Sequence, residues 1–179
     1  KIYLMIAASF EYDAPSTLED AIGLLQQYGE DAKILAGGHS LIPMMKLRLA
    51  SPPHIVDINR IPGLDYIKEE AGVLRIGALV RESDLEHSDL VRSRFPIIAD
   101  TTSVIADPLV RNQATVCGNL AHGDPGNDHP ATMLALRASI IAAGPNGERE
   151  IPIEGFFNGL FTTALQSDEI LKEIKIPIP

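Results

Sequence analysis

The strongest local constraint in this sequence is the passage from Ala32-Lys33-Ile34-Leu35-Ala36 into Gly37-Gly38-His39-Ser40. A short apolar strand runs into paired glycines with no spacer. Glycine carries no Cβ and enters positive φ at little cost, so backbone N–H groups can converge on an anion here. Ser40 adds a hydroxyl donor. Such a turn suits a pyrophosphate, and it equally suits a plain strand-to-helix connection; spacing alone leaves both readings open. A second segment, Thr115-Val116-Cys117-Gly118-Asn119, offers donors in Thr115 and Asn119 and close approach at Gly118. Taken alone it reads as a polar surface loop. Asp124 and Asp128 follow, and a carboxylate such as Asp128 can accept from ribose hydroxyls, as acidic residues do in dinucleotide sites. No G-x-G-x-x-G follows a strand and no Walker A sequence is present, so any such site is neither Rossmann nor P-loop.

Around these segments the pattern predicts short elements of both kinds. Ser16 and Glu19 form a capping box ahead of Leu18, Ala21, Ile22, Leu25 and Tyr28 at helical spacing, and Gly29 closes the helix. Leu41 to Leu49 reads as partly helical. Strands are expected at His54 to Ile58, Asp65 to Glu69 and Val73 to Ala78, and helices at Arg81 to His87 and Pro96 to Ala106. Thr115 to Asp128 reads as a loop, and His129 to Leu136 as a helix. A hairpin is expected around Pro145-Asn146-Gly147, and a half-buried strand over Ile170 to Ile178. Lys1 to Ser9 reads as the approach to a first strand. The terminal strand suggests that more chain once followed. Strand and helix do not alternate steadily, which argues for α+β. Ser51-Pro52-Pro53 marks a break, giving expected subdomains 1–53 and 54–179.

Composition narrows the function. The 179 residues carry a formal net charge of -9, which disfavours nucleic acid as a partner. Cys117 is the single cysteine, so a disulfide framework is impossible, as is an iron–sulfur cluster held by this chain alone. A cytoplasmic location is expected. No apolar run reaches the roughly 18 residues of a membrane span. His122 and His129 with Asp124 and Asp128 match no zinc spacing, so no metal site is expected. No convincing nucleophile–base pair stands out, and no catalytic residue is assigned.

Taken together, the two glycine segments resemble the FAD-binding subunit of molybdenum hydroxylases of the carbon monoxide dehydrogenase and xanthine dehydrogenase type. The likeness runs from Ala36-Gly37-Gly38-His39-Ser40 through Arg111-Asn112-Gln113-Ala114-Thr115-Val116-Cys117-Gly118-Asn119 to Asp124-Pro125-Gly126-Asn127-Asp128-His129-Pro130. It continues at Phe156-Phe157, Thr162-Thr163-Ala164-Leu165 and Glu169-Ile170-Leu171. The resemblance implies an α+β, two-subdomain FAD-binding domain of the PCMH (vanillyl-alcohol-oxidase-like) type, with a non-covalent flavin between the subdomains. It implies a first wall from Leu35, Ala36, Gly37, Gly38, His39, Ser40 and Leu41, and a second from Thr115, Cys117, Gly118 and Asn119. Asp128 would reach the ribose. It also implies partners: a large subunit with the molybdenum cofactor and a small subunit with iron–sulfur clusters. The chain would then pass electrons from those clusters to an external acceptor.

Three departures stand out. Cys117 replaces the first of two adjacent glycines, Phe161 stands where Tyr is frequent, and the family's carboxy-terminal domain is absent. Two other readings remain: a self-contained flavoenzyme of the same fold, and a nucleotide-binding module without redox function.

Overall fold

The computed structural model describes residues 6–178. Lys1 to Met5 lie outside the described residues, and with them most of the expected approach to a first strand; β1 is Glu11–Asp13. Helix α1 spans Leu18–Tyr28. Its N-cap is Thr17, whose Oγ1 accepts the Asp20 N–H at 3.1 Å, one residue later than the Ser16 box predicts. Ala21, Ile22 and Leu25 are buried along one face, and Gly29 takes φ 55 beyond the last turn. Strand β2 is Ala32–Leu35, α2 is Leu41–Lys46 and β3 is His54–Asp57.

The three strands form one parallel sheet in the order β1-β3-β2, with Tyr12 opposite Ile55 and Ile34 opposite Val56. The central strand is therefore β3. Ser51-Pro52-Pro53 leads directly into it, and a division at Pro53/His54 would part it from both neighbours. Because β2 and β3 run in parallel, both chains leave the sheet at the same edge. Ala21, Leu25, Val56 and Ile58 pack there with Leu79, Ala143 and Ile170 from later in the chain.

The remainder builds a second sheet and a helical layer. Strands β4 (Ile67–Glu70) and β5 (Val73–Gly77) lead into α3 (Glu82–His87), α4 (Asp89–Arg94), α5 (Pro96–Val104) and α6 (Pro108–Arg111). Neither α4 nor α6 is expected from apolar periodicity; both are fixed by caps. Ser88 Oγ accepts the Val91 N–H at 3.3 Å, and Asp107 Oδ1 accepts those of Leu109 and Val110 at 2.7 and 3.1 Å.

Helix α7 spans Val116–His122 within the stretch predicted as a loop. Gly and Asn content suggested the loop, but Val116, Cys117 and Leu120 bury one helical face. Next come α8 (His129–Ala135), the β6 (Ser139–Gly144) and β7 (Gly147–Pro152) hairpin, the small β8 (Phe157–Gly159) and β9 (Thr162–Thr163) pair, and β10 (Ile170–Pro177).

The second sheet is antiparallel, in the order β4-β5-β10-β6-β7. Strand β10, predicted as half-buried, is its centre, and a register shift between Leu171 and Glu173 breaks the alternation. Glu173 is buried there, held by Arg75 Nε at 2.9 Å and by the Tyr66 hydroxyl. Desolvation first, and the bond to Glu173 second, push the Tyr66 hydroxyl well above the usual tyrosine range. Carboxylates around this sheet are paired: Glu69 meets Arg94 at 3.1 Å, Glu70 meets Arg75 at 2.8 Å, and Glu169 meets Arg149 at 2.6 Å. Mixed helix and sheet, segregated rather than alternating, make the fold α+β. Among the described residues no helix is long and apolar enough to cross a membrane.

Candidate functional site

At the edge where β2 and β3 end, Leu35 stays in the sheet, its carbonyl accepting the Ile58 N–H at 3.0 Å. The chain then turns through Ala36 to Ser40 and enters α2 at Leu41. Gly38 takes φ +75, and a Cβ there would stand 2.7 Å from Ile42 Cδ1. Gly37 faces outward against another stretch of backbone: a Cβ on it would stand 2.5 Å from the Gln113 carbonyl oxygen, 2.7 Å from Ala114 Cα and 2.9 Å from Thr115 N. The two glycine segments, distant in sequence, thus meet at Gly37. Among the described residues, the backbone N–H groups of Gly38, His39, Ser40 and Leu41 have no protein acceptor. His39 is exposed and folds back, its Nδ1–H donating to the Gly37 carbonyl at 3.0 Å.

The second segment is a helix start. Thr115 Oγ1 accepts the Gly118 N–H at 3.2 Å, and the Thr115 carbonyl accepts the Asn119 N–H at 2.9 Å. A Cβ on Gly118 would stand 2.6 Å from Thr115 Oγ1, so the cap itself requires glycine there. The Thr115 side chain is buried in this role. Cys117 turns inward, its thiol 3.5 Å from the Gly77 carbonyl. Burial pushes that thiol well above its usual range, helped by the charges of Glu82 and Glu173, so it is no nucleophile. Asn119 Oδ1 is buried, and among the described residues it has no hydrogen-bond partner.

The structure adds two residues that sequence reasoning missed. Asn59 Nδ2 donates to the Ala36 carbonyl at 2.8 Å and to Asp57 Oδ1 at 2.6 Å. Arg81 donates through Nη2 to Asn59 Oδ1 at 2.7 Å and through Nη1 to the Gln113 carbonyl at 2.5 Å. Together they bridge the first segment to the second. A signal existed: Asn59 leaves a strand parallel to β2 at the same edge, so it had to lie near Ala36.

Asp128 stands before α8, exposed, and among the described residues its carboxylate has no hydrogen-bond partner. Asn127 Nδ2 ties this stretch to the Asn119 carbonyl at 3.1 Å. His129, weighed from sequence as a metal ligand, turns inward, its Nε2 lying 2.7 Å from Glu82 Oε2 with both side chains fully buried. Among the described residues no group of three or more His, Cys, Asp or Glu is placed to hold a metal ion. Phe161 sits at the tip joining β8 and β9, with φ 53 and its side chain half-exposed. Its N–H donates to the Gly123 carbonyl at 3.0 Å, and its ring lies 5.2 Å from that of His122. Helix α7 therefore begins at the second glycine segment and ends, about 10 Å away, beside the Phe161 ring of the β8–β9 turn.

This arrangement suits an extended anionic ligand with hydroxyl groups. Four backbone donors meet negative charge without any basic patch, and the unpaired Asn119 oxygen and Asp128 carboxylate accept from hydroxyls. Residues 8–179 match the family described as FAD binding domain in molybdopterin dehydrogenase. The carbon monoxide dehydrogenase medium chain of Hydrogenophaga pseudoflava is 51% identical over 173 residues, covering 97% of this chain and 60% of that one. The medium chain of Afipia carboxidovorans is 46% identical over 175 residues, covering 98% and 61%. The solved carbon monoxide dehydrogenase from Hydrogenophaga pseudoflava, which lacks the Mo-pyranopterin moiety of the molybdenum cofactor, superposes with a TM-score of 0.96 over 98% of this chain and 61% of that one. The chain thus spans 60 to 61% of the length of these relatives. By sequence and by fold, it belongs to the family of FAD binding domains in molybdopterin dehydrogenases.

Proposed function

We propose that this chain binds one FAD non-covalently and is the flavin-carrying electron-transfer part of a molybdenum-dependent hydroxylase or dehydrogenase. The observation that carries the reading is the contact at Gly37, which brings two segments with unused donors and acceptors to one place. The residues fit the cofactor. Gly38, His39, Ser40 and Leu41 would hold the pyrophosphate through backbone N–H groups, with Leu35, Ala36 and Gly37 shaping that wall. Thr115, Cys117 and Gly118 would contribute the opposing backbone, because their side chains are buried, capping or absent. Asn119 Oδ1 would accept from a hydroxyl, and Asp128 would accept from the ribose. Phe161 would lie against the flavin ring. When bound, FAD supplies the capacity to take up and give out electrons; the protein positions it.

The finer architecture is the PCMH-type division into two subdomains with the flavin between them. The seam falls after β3, so that the parallel sheet stays whole. The iron–sulfur small subunit would supply electrons drawn from the molybdenum large subunit, an external acceptor would receive them, and the assembly would work in the cytoplasm. The rival readings are less well supported. A self-contained flavoenzyme needs an acid or base at the substrate, whereas Asp57, Glu82 and His129 near the two segments are already engaged. The test is to mix the FAD-loaded chain, without oxygen, with a reduced iron–sulfur subunit of this family. Bleaching of the flavin band supports the electron-transfer role; an unchanged band contradicts it.

A further inference from the structure

Two consecutive residues at the start of α3 reach all three stretches that carry the proposed contacts, two directly and the first through Asn59. Arg81 spans from Gln113 to Asn59, and Asn59 continues to Ala36. The Glu82 N–H donates to the Ala114 carbonyl at 2.9 Å, and the Glu82 carboxylate reaches His129, the neighbour of Asp128, at 2.7 Å. We infer that Arg81 and Glu82 are the positioning residues of the cofactor site, fixing the spacing of the two glycine segments and the Asp128 stretch before ligand arrives. The inference rests on the FAD reading above.

Two physical points favour positioning over simple scaffolding. Arg81 is partly exposed and belongs to neither core cluster; its acceptors are a loop carbonyl and an exposed amide. Glu82 and His129 are fully buried, yet among the described residues Glu82 Oε1 and His129 Nδ1 have no hydrogen-bond partner. A half-satisfied buried pair is a poor way to stabilise a core, and fixing one arrangement is the better-attested use of such groups. A preset spacing lowers the ordering cost of binding and leaves the ligand's own contacts for affinity.

The test measures FAD affinity, by quenching of flavin fluorescence, and thermal unfolding of the FAD-free chain in the same variants. Arg81→Met should weaken FAD binding about tenfold, the loss typical of a charge-assisted bond, with the FAD-free unfolding temperature nearly unchanged. Arg81→Lys should recover part of the affinity, since an ammonium reaches one of the two acceptors. Asn59→Ala should cost less in the Arg81→Met background than in the parent, because the two residues share the Arg81–Asn59 bond of one bridge. FAD bound to Arg81→Met should show altered visible circular dichroism, a sign of displaced ligand that lower stability alone would not produce.

If the parent chain binds FAD and Arg81→Met matches it in affinity and dichroism, the inference fails while the cofactor reading stands. It also fails if the affinity loss simply follows lost stability and Arg81→Lys restores nothing. If the parent chain itself refuses FAD, the cofactor reading falls before any variant is made, and the positioning role falls with it.

Discussion

Gly37 lies flat against Gln113, so close that a single added carbon would stand 2.5 Å from the Gln113 carbonyl oxygen. That approach brings two distant segments together, and it makes residue 37 more demanding than its neighbour. Gly37→Ala must push backbone against backbone, an overpacking of about 1–3 kcal/mol, and it separates the two walls. Gly38→Ala meets mainly the flexible end of Ile42 and a positive φ, at about 1–2 kcal/mol. FAD titration of both variants should therefore show the larger affinity loss at Gly37. Equal losses would mean that the inter-segment contact matters no more than the turn itself.

The cap at Thr115 gives a second expectation. Thr115→Ala leaves the Gly118 N–H without its acceptor and should cost about 1 kcal/mol in urea unfolding. Thr115→Ser keeps the oxygen and should recover most of it.

Cys117 should be inert in the native chain. Its thiol is buried, and burial with the Glu82 and Glu173 charges pushes it up. A thiol reagent at mildly alkaline pH should label it only after denaturant is added. Fast labelling of the folded chain would contradict the placement of that side chain.

What the sequence made legible was local. The turn at Gly37-Gly38 could be read because its cause, the missing Cβ, lies in the residues themselves, and α1 could be read from its spacing. Helix α7 could not, since Gly118 and Asn119 in its first turn look like loop formers; burial of Val116, Cys117 and Leu120 decides the matter. The central place of β3 was hidden because Pro52-Pro53 breaks the chain just before a strand that enters between two others. The twelve candidate positions came from the family resemblance, and the contact at Gly37 brings their two main segments together. Asn59 and Arg81 escaped notice because their main partners are carbonyls 23 and 32 positions away. For Asn59 the one signal is its place just past β3, at the edge where β2 also ends; nothing in the neighbourhood of Arg81 announces its partners.

Acid stability offers a fourth expectation. Arg149, bonded at 2.6 Å, holds the Glu169 carboxyl below the usual glutamate range, against the opposing effect of burial. A carboxylate depressed in the folded state stabilises it fully above the unfolded-state pKa of about 4.3, and that contribution fades as pH falls through the lower folded value. Arg149 is 44% exposed, so solvent screening limits the effect to less than about 1 kcal/mol. Glu169→Gln should lower stability at neutral pH and flatten the acid limb of unfolding. An acid limb identical to that of the parent would show that the pair contributes nothing.

The most direct test of the account is the absorption spectrum of the purified chain incubated with FAD and freed of excess, followed by denaturation and identification of what is released. The account predicts a two-banded flavin spectrum and one FAD per chain in the supernatant after denaturation. A correctly folded, colourless protein that releases no FAD would contradict it, and the two glycine segments would then be a structural junction and nothing more.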